Sequence, residues 1–171
     1  IYDEDGSHLR DVRCRGLTYL GGISMNSAGE LMVIDEESRK VYHVDLSTGE
    51  ANVQPGTFND PRYLTSNSKQ VNIIIDGKYI RGIARDGTKM FTYNGTNSTP
   101  HGVCTDKGDY IFVADYWNHR VFLLTPDGKF LRNILTNRDG EYYPIALAIS
   151  NDGKLLVGDN DGQLFSIKYR D

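Results

Sequence analysis

At 171 residues and a formal net charge of −4, the chain is long enough to bury a sizeable core, and its acidic balance argues against general attraction to polyanions. Eighteen glycines stand against five prolines, and no segment approaches the roughly 18 apolar residues of a membrane span. What remains is a turn-rich β protein with no membrane role.

The opening carries no charged region followed by a long apolar stretch, so no signal peptide is expected. Cys14 and Cys104 are too few for a disulfide framework, have no C-x-x-C spacing and read as reduced, which fits a cytoplasmic setting. Residues Ile1 to Val12 lie over Leu123 to Ile134 when the two stretches are aligned, so the N-terminus reads as the end of one strand, a turn and a further strand.

From Leu20 onward, short apolar runs alternate with turn residues, the pattern of strands in a meander. Val33-Ile34-Asp35, Ile74-Ile75-Asp76, Val113-Ala114-Asp115 and Val157-Gly158-Asp159 each end an apolar run in an aspartate, at separations of 41, 39 and 44 residues. Thirteen residues before these aspartates lie Gly22, Tyr63, Gly102 and Ala146, and Pro61, Pro100 and Pro144 precede the last three by two residues. Tight-turn material separates the first two strands of each unit: Ser27-Ala28-Gly29, Asn67-Ser68-Lys69, Asp106-Lys107-Gly108 and Asn151-Asp152-Gly153. A second set, Ser47-Thr48-Gly49, Arg85-Asp86-Gly87 and Pro126-Asp127-Gly128, leads to the fourth strand.

A period near 40 with four strands per unit is a propeller period. The expected fold is therefore an all-β propeller forming one domain over residues 1–171. Its blades are placed at about 20–54, 61–93, 100–135 and 144–171, the last completed by 1–13. Two geometries satisfy that count: a closed four-blade ring, or a four-blade part of a larger ring, in which case self-association is also expected.

The run Val113-Ala114-Asp115-Tyr116-Trp117-Asn118-His119-Arg120-Val121 resembles the NHL repeat, whose propellers usually have six blades. In that family such propellers commonly close tripartite-motif proteins and select their targets, so the resemblance implies a protein or peptide partner. Some relatives bind single-stranded RNA on a basic face, and a lyase similar in fold uses metal-bound histidines. Outside Pro100 to Leu135 the motif weakens: Gly77-Lys78 and Asn160-Asp161-Gly162 stand where it should be in the second and fourth blades.

Chemistry-bearing residues are sparse. The aspartates Asp35, Asp76, Asp115 and Asp159 recur once per blade, too dispersed to converge on one ion, and read as acceptors for backbone amides at turns. His8, His43, His101 and His119 lack zinc-site spacing, and there is no G-x-S-x-G elbow or phosphate-cradling loop, so no catalytic residue, metal or cofactor is expected. Asn94-Gly95-Thr96 and Asn97-Ser98-Thr99 match the glycosylation triplet but read as a polar turn.

The longer loops, gathered on one face, hold Tyr19, Phe58, Tyr116, Trp117, Tyr142 and Tyr143 together with Arg13, Arg15, Arg62, Arg120 and Arg138. Aromatic residues with arginine are the composition of binding hot spots. The expected function is a non-enzymatic interaction platform using Tyr19, Phe58, Arg62, Tyr116, Trp117, Arg120, Tyr142 and Tyr143. RNA is the alternative, disfavoured by Glu36, Glu37, Asp60, Asp139, Glu141 and Asp161 in the same loops. A metal-dependent lyase or hydrolase is the least favoured reading.

Overall fold

A computed structural model describes residues 1–14, 16–95, 97–139 and 143–170. The first blade is β1 (Leu20–Met25), β2 (Leu31–Asp35), β3 (Lys40–Val44) and β4 (Ala51–Val53). The second is β5 (Pro61–Ser66), β6 (Asn72–Asp76), β7 (Tyr79–Ile83) and β8 (Lys89–Asn94). The third is β9 (Pro100–Thr105), β10 (Ile111–Asp115), β11 (Arg120–Leu124) and β12 (Phe130–Leu135), and the fourth has β13 (Pro144–Ile149), β14 (Leu155–Asp159) and β15 (Leu164–Ile167). Every sheet is an antiparallel meander in chain order, so the chain is an all-β, four-bladed propeller, as the repeat spacing predicts.

The second strands explain themselves. Because successive side chains point to opposite faces, a strand covered on both sides must be apolar at nearly every position. Ile74 packs toward blade one with Met32, Ile34, Val41 and Leu64, while Ile73 and Ile75 pack toward blade three with Val103, Ile111, Val113, Phe122 and Leu124. Phe112, Val121 and Leu123 in turn meet Leu155 and Val157 of blade four. The core is thus a series of slabs between blades.

Inner strands pack in sequence, β1 on β5, β5 on β9 and β9 on β13; among the described residues no packing of that extent joins β13 to β1. Glycine permits the closest approaches. A Cβ on Gly102 would fall 2.6 Å from the Ile145 carbonyl oxygen, and one on Gly22 2.6 Å from that of Arg62. Pro61, Pro100 and Pro144 each open an inner strand, the one place in a strand where a missing N–H costs nothing.

The N-terminal segment differs from expectation. Residues 1–13 do not pair with β15 among the described residues; Tyr2 and His8 form a local bridge, and Val12, Cys14 and Leu17 pack on Val33, Tyr42 and Val44 of blade one. That face of blade one is apolar, and covering it from a few residues upstream closes a shorter loop than reaching the far blade would. The face of blade four turned away from blade three carries Ala146, Ala148 and Leu164, all exposed, Leu164 at 72%.

Candidate functional site: the mouth of the propeller

Each inner strand breaks register at the same level. Pro61 pairs with Asp76 but the next pair is Tyr63 with Ile75, leaving Arg62 unmatched. In blade three Pro100 pairs with Asp115 and Val103 with Val113, so His101 and Gly102 face one residue. Ile145 is the extra residue in blade four, and Gly21 and Gly22 occupy the irregularity in blade one. A bulge adds twist and re-aims the side chain it carries, which is why bulges recur beside active sites. Here the four bulges present glycine, Arg62, His101 and Ile145.

Arg62 and His101 come from adjacent blades and share a cavity of about 220 Å³, with Asp60, Tyr63, Lys78 and Ser98 also in its wall. The His101 ring stacks on Tyr116 at 4.7 Å between centroids and lies 6.0 Å from the Tyr63 ring. Its Nδ1 is 3.0 Å from the Thr99 carbonyl oxygen, which can only accept. Nδ1 therefore carries the hydrogen, and in the neutral ring Nε2 is the bare acceptor. Arg62 donates through Nε to both oxygens of Asp60 at 3.1 Å, and that carboxylate raises the guanidinium above its already high value.

The repeated aspartates hold this level in place. Oδ1 of Asp76 accepts the amides of Asn59 (2.8 Å) and Asp60 (2.6 Å), and Arg81 pairs with Oδ2 at 3.0 Å. Asp115 accepts from Thr99 N–H, from Asn118 and from Arg120, fixing the carbonyl of Thr99 that orients His101. Asp35 accepts from Tyr19 N–H and the hydroxyls of Thr18 and Ser38; burial raises its pKa, but these donors outweigh burial and hold it below the ordinary value. After each aspartate, the next residue donates its amide to the residue that precedes the inner strand: Glu36 to Tyr19, Gly77 to Asp60, Tyr116 to Thr99 and Asn160 to Tyr143. Among the described residues no three His, Cys, Asp or Glu side chains gather as a metal site.

The residues expected to contact a partner divide. Tyr116, Trp117 and Tyr143 form one cluster, with Tyr116 4.9 Å from Trp117 and 5.1 Å from Tyr143; Trp117 is 64% exposed. Arg62 stands at the cavity rim and Tyr19 is 64% exposed on blade one. Phe58 is a correction: it is 8% exposed and packs between blades one and two, because a large ring in a loop flanked by two apolar slabs gains more by insertion than by exposure. Arg120 is held by Asp115 and lies over Phe122, so its charge is already matched. Arg15, Tyr142 and Glu141 lie outside the described residues, as does Thr96 of the first glycosylation triplet. His101 was read only as one of four histidines without zinc-site spacing and Lys78 only as a departure from the motif; the proline that precedes His101, as Pro61 precedes Arg62, was the visible signal.

The NHL repeat family model matches residues 97–122, the stretch that contains His101, Asp115 and the Tyr116–Asn118 turn. The chain carries an NHL repeat. Among curated proteins no match is found. Three solved structures share its fold: a streptogramin B lyase (17% identity, TM-score 0.64, 86% of this chain and 53% of that one), a virginiamycin B lyase from Staphylococcus aureus, solved with quinupristin as a catalytically inactive histidine-to-alanine variant (18%, 0.70, 92% and 58%), and a gluconolactonase from Xanthomonas campestris (18%, 0.73, 90% and 59%). The NHL-bearing chain thus spans between half and three-fifths of the length of these three.

That finding corrects the expectation of a non-enzymatic interaction platform: the three solved propellers named above are enzymes. The physical reason is that a propeller contributes inward side chains one per blade, some 40 residues apart, so the absence of a contiguous catalytic motif excludes nothing.

Proposed function

We propose that this NHL-repeat propeller is an enzyme that works by proton transfer at its mouth, opening a substrate by elimination or by hydrolysis of a lactone. His101 Nε2 takes and returns the proton, and Arg62 on the neighbouring bulge holds the substrate beside it. The observation that carries the reading is the His101 ring itself: Nδ1–H fixed on Thr99, the ring stacked on Tyr116, and a cation on the neighbouring bulge in the same cavity. A general base needs a defined tautomer and a fixed ring before its pKa matters. In support, solved propellers similar to it include lyases and a gluconolactonase, and the loss of one histidine goes with an inactive lyase.

The test offers quinupristin, glucono-lactone and glucaro-lactone, a lactone that bears a free carboxylate, to the chain and follows each by mass spectrometry. A ring-opened product of unchanged mass marks elimination, and one heavier by a water marks hydrolysis. His101→Ala is expected to slow turnover by about 10² to 10⁴-fold, the range for a lost general base. Turnover untouched by that substitution, or none with any of the three compounds, overturns the reading.

A further inference from the structure

We infer that the substrate of this mouth carries a carboxylate, and that the carboxylate docks on the free edge of the Arg62 guanidinium. The inference rests on the reading above of the mouth as the active site. Arg62 spends only Nε on Asp60; among the described residues neither of its terminal nitrogens has a hydrogen-bond partner. Held at one end by Asp60 and set on a bulge, the guanidinium presents two parallel N–H donors, the geometry a carboxylate matches with two charge-assisted bonds. The side chain is 57% exposed, so a ligand can reach it.

The rest of the cavity wall agrees in charge. Lys78 contributes a second cation, lying 5.4 Å from the Tyr79 ring and bound to no carboxylate among the described residues, while Asp60 is already engaged. One further carboxylate acts on Arg62: Glu36, whose side chain lies over Gly21 in blade one. It competes for the same cation. The geometry therefore predicts opposite signs for two neutralising substitutions.

The experiment titrates the intact chain with succinate and with succinamide, its neutral counterpart, at matched low ionic strength. Binding is read from the fluorescence of Trp117, the single tryptophan, and from the His101 ring signals in NMR. Succinate is expected to move both readouts, and succinamide neither at the same concentration. Arg62→Gln should weaken succinate about tenfold or more, Arg62→Lys should recover only part of it, and Glu36→Gln should tighten it a few-fold. Equal response to succinate and succinamide, or succinate binding unchanged in Arg62→Gln, overturns the inference. Turnover that depends on His101 alongside carboxylate-blind binding keeps the enzyme and removes this specificity; carboxylate binding that depends on Arg62 without turnover does the reverse.

Discussion

Asp115 and Asp159 occupy the same place in successive blades and end with different partners. The Asp115 side chain has no exposed surface; Oδ1 takes the Thr99 amide and the Asn118 side chain, and Oδ2 takes the Arg120 guanidinium at 2.8 and 2.9 Å. Among the described residues Asp159 accepts only from its own turn, from the amides of Asp161 (3.0 Å) and Gln163 (2.7 Å), and its buried Oδ2 has no partner. One carboxylate ties a loop, a turn and a strand together. The other ties a turn to itself. A motif repeated in sequence thus sets the fold in both blades, but only in blade three does it brace the residues that orient His101.

The largest expected effect follows from that difference. Asp115→Ala leaves Arg120, only 26% exposed, without its counter-ion and should cost about 3 kcal/mol. Asp159→Ala removes two turn bonds and should cost about 1 kcal/mol. Urea unfolding of the two variants measures the gap, and equal losses would break the comparison. If Asp115 also orients the mouth, that variant should lose turnover even below its unfolding transition.

Next in size is the contact between the two blades. Gly102→Ala drives a Cβ to 2.6 Å from the Ile145 carbonyl and 3.2 Å from the Ala146 Cα, backbone atoms that cannot turn aside, and should cost about 2 kcal/mol. Gly158→Ala, on the strand of blade four that pairs with Ala146, meets only the Ala146 Cβ at 3.6 Å, an ordinary contact within one blade. It should be neutral or stabilise by about 0.5 kcal/mol through the unfolded chain. Thermal melts of the pair check this directly.

These contrasts mark what the sequence makes legible. Aspartates at a period near 40, prolines opening the inner strands and apolar runs without alternation all report constraints that act within one blade, and each lands where it was read. Gly22 and Gly102 were visible as repeat positions, but their reason, a neighbouring backbone at 2.6 Å, belongs to a junction between blades. The site is less legible for the same cause. Arg62 was singled out for its type and loop, whereas His101 stood only among four histidines without zinc-site spacing until the register break placed it in one cavity with Arg62. Phe58 shows the opposite failure, since an aromatic in a loop reads alike whether it faces solvent or fills a slab.

The smallest effect concerns how blade four is held when its aspartate holds so little. Its C-terminal residues reach back to blade three: the Tyr169 hydroxyl donates to Asp106 at 3.1 Å, Arg170 pairs with the same carboxylate at 2.8 Å and lies 4.7 Å over the Tyr110 ring, and Arg132 donates to the Tyr169 carbonyl at 2.7 Å. Burial first, and then the negative charge of Asp106, raise the Tyr169 phenol above its ordinary value. A group whose folded pKa exceeds its unfolded one contributes stability that is complete below the unfolded value, about 10 for tyrosine, and is lost as pH rises through the folded value. The wild-type chain should therefore lose part of its stability above about pH 10, because ionised Tyr169 faces Asp106. Tyr169→Phe should cost about 1 kcal/mol at neutral pH, the worth of the lost bond, and should flatten that alkaline decline. Denaturation midpoints of both chains from neutral pH into the alkaline range decide it. An unchanged alkaline slope in the variant would mean that blade four is held by Arg170 and the apolar slab alone, and that Tyr169 is a bystander in the latch.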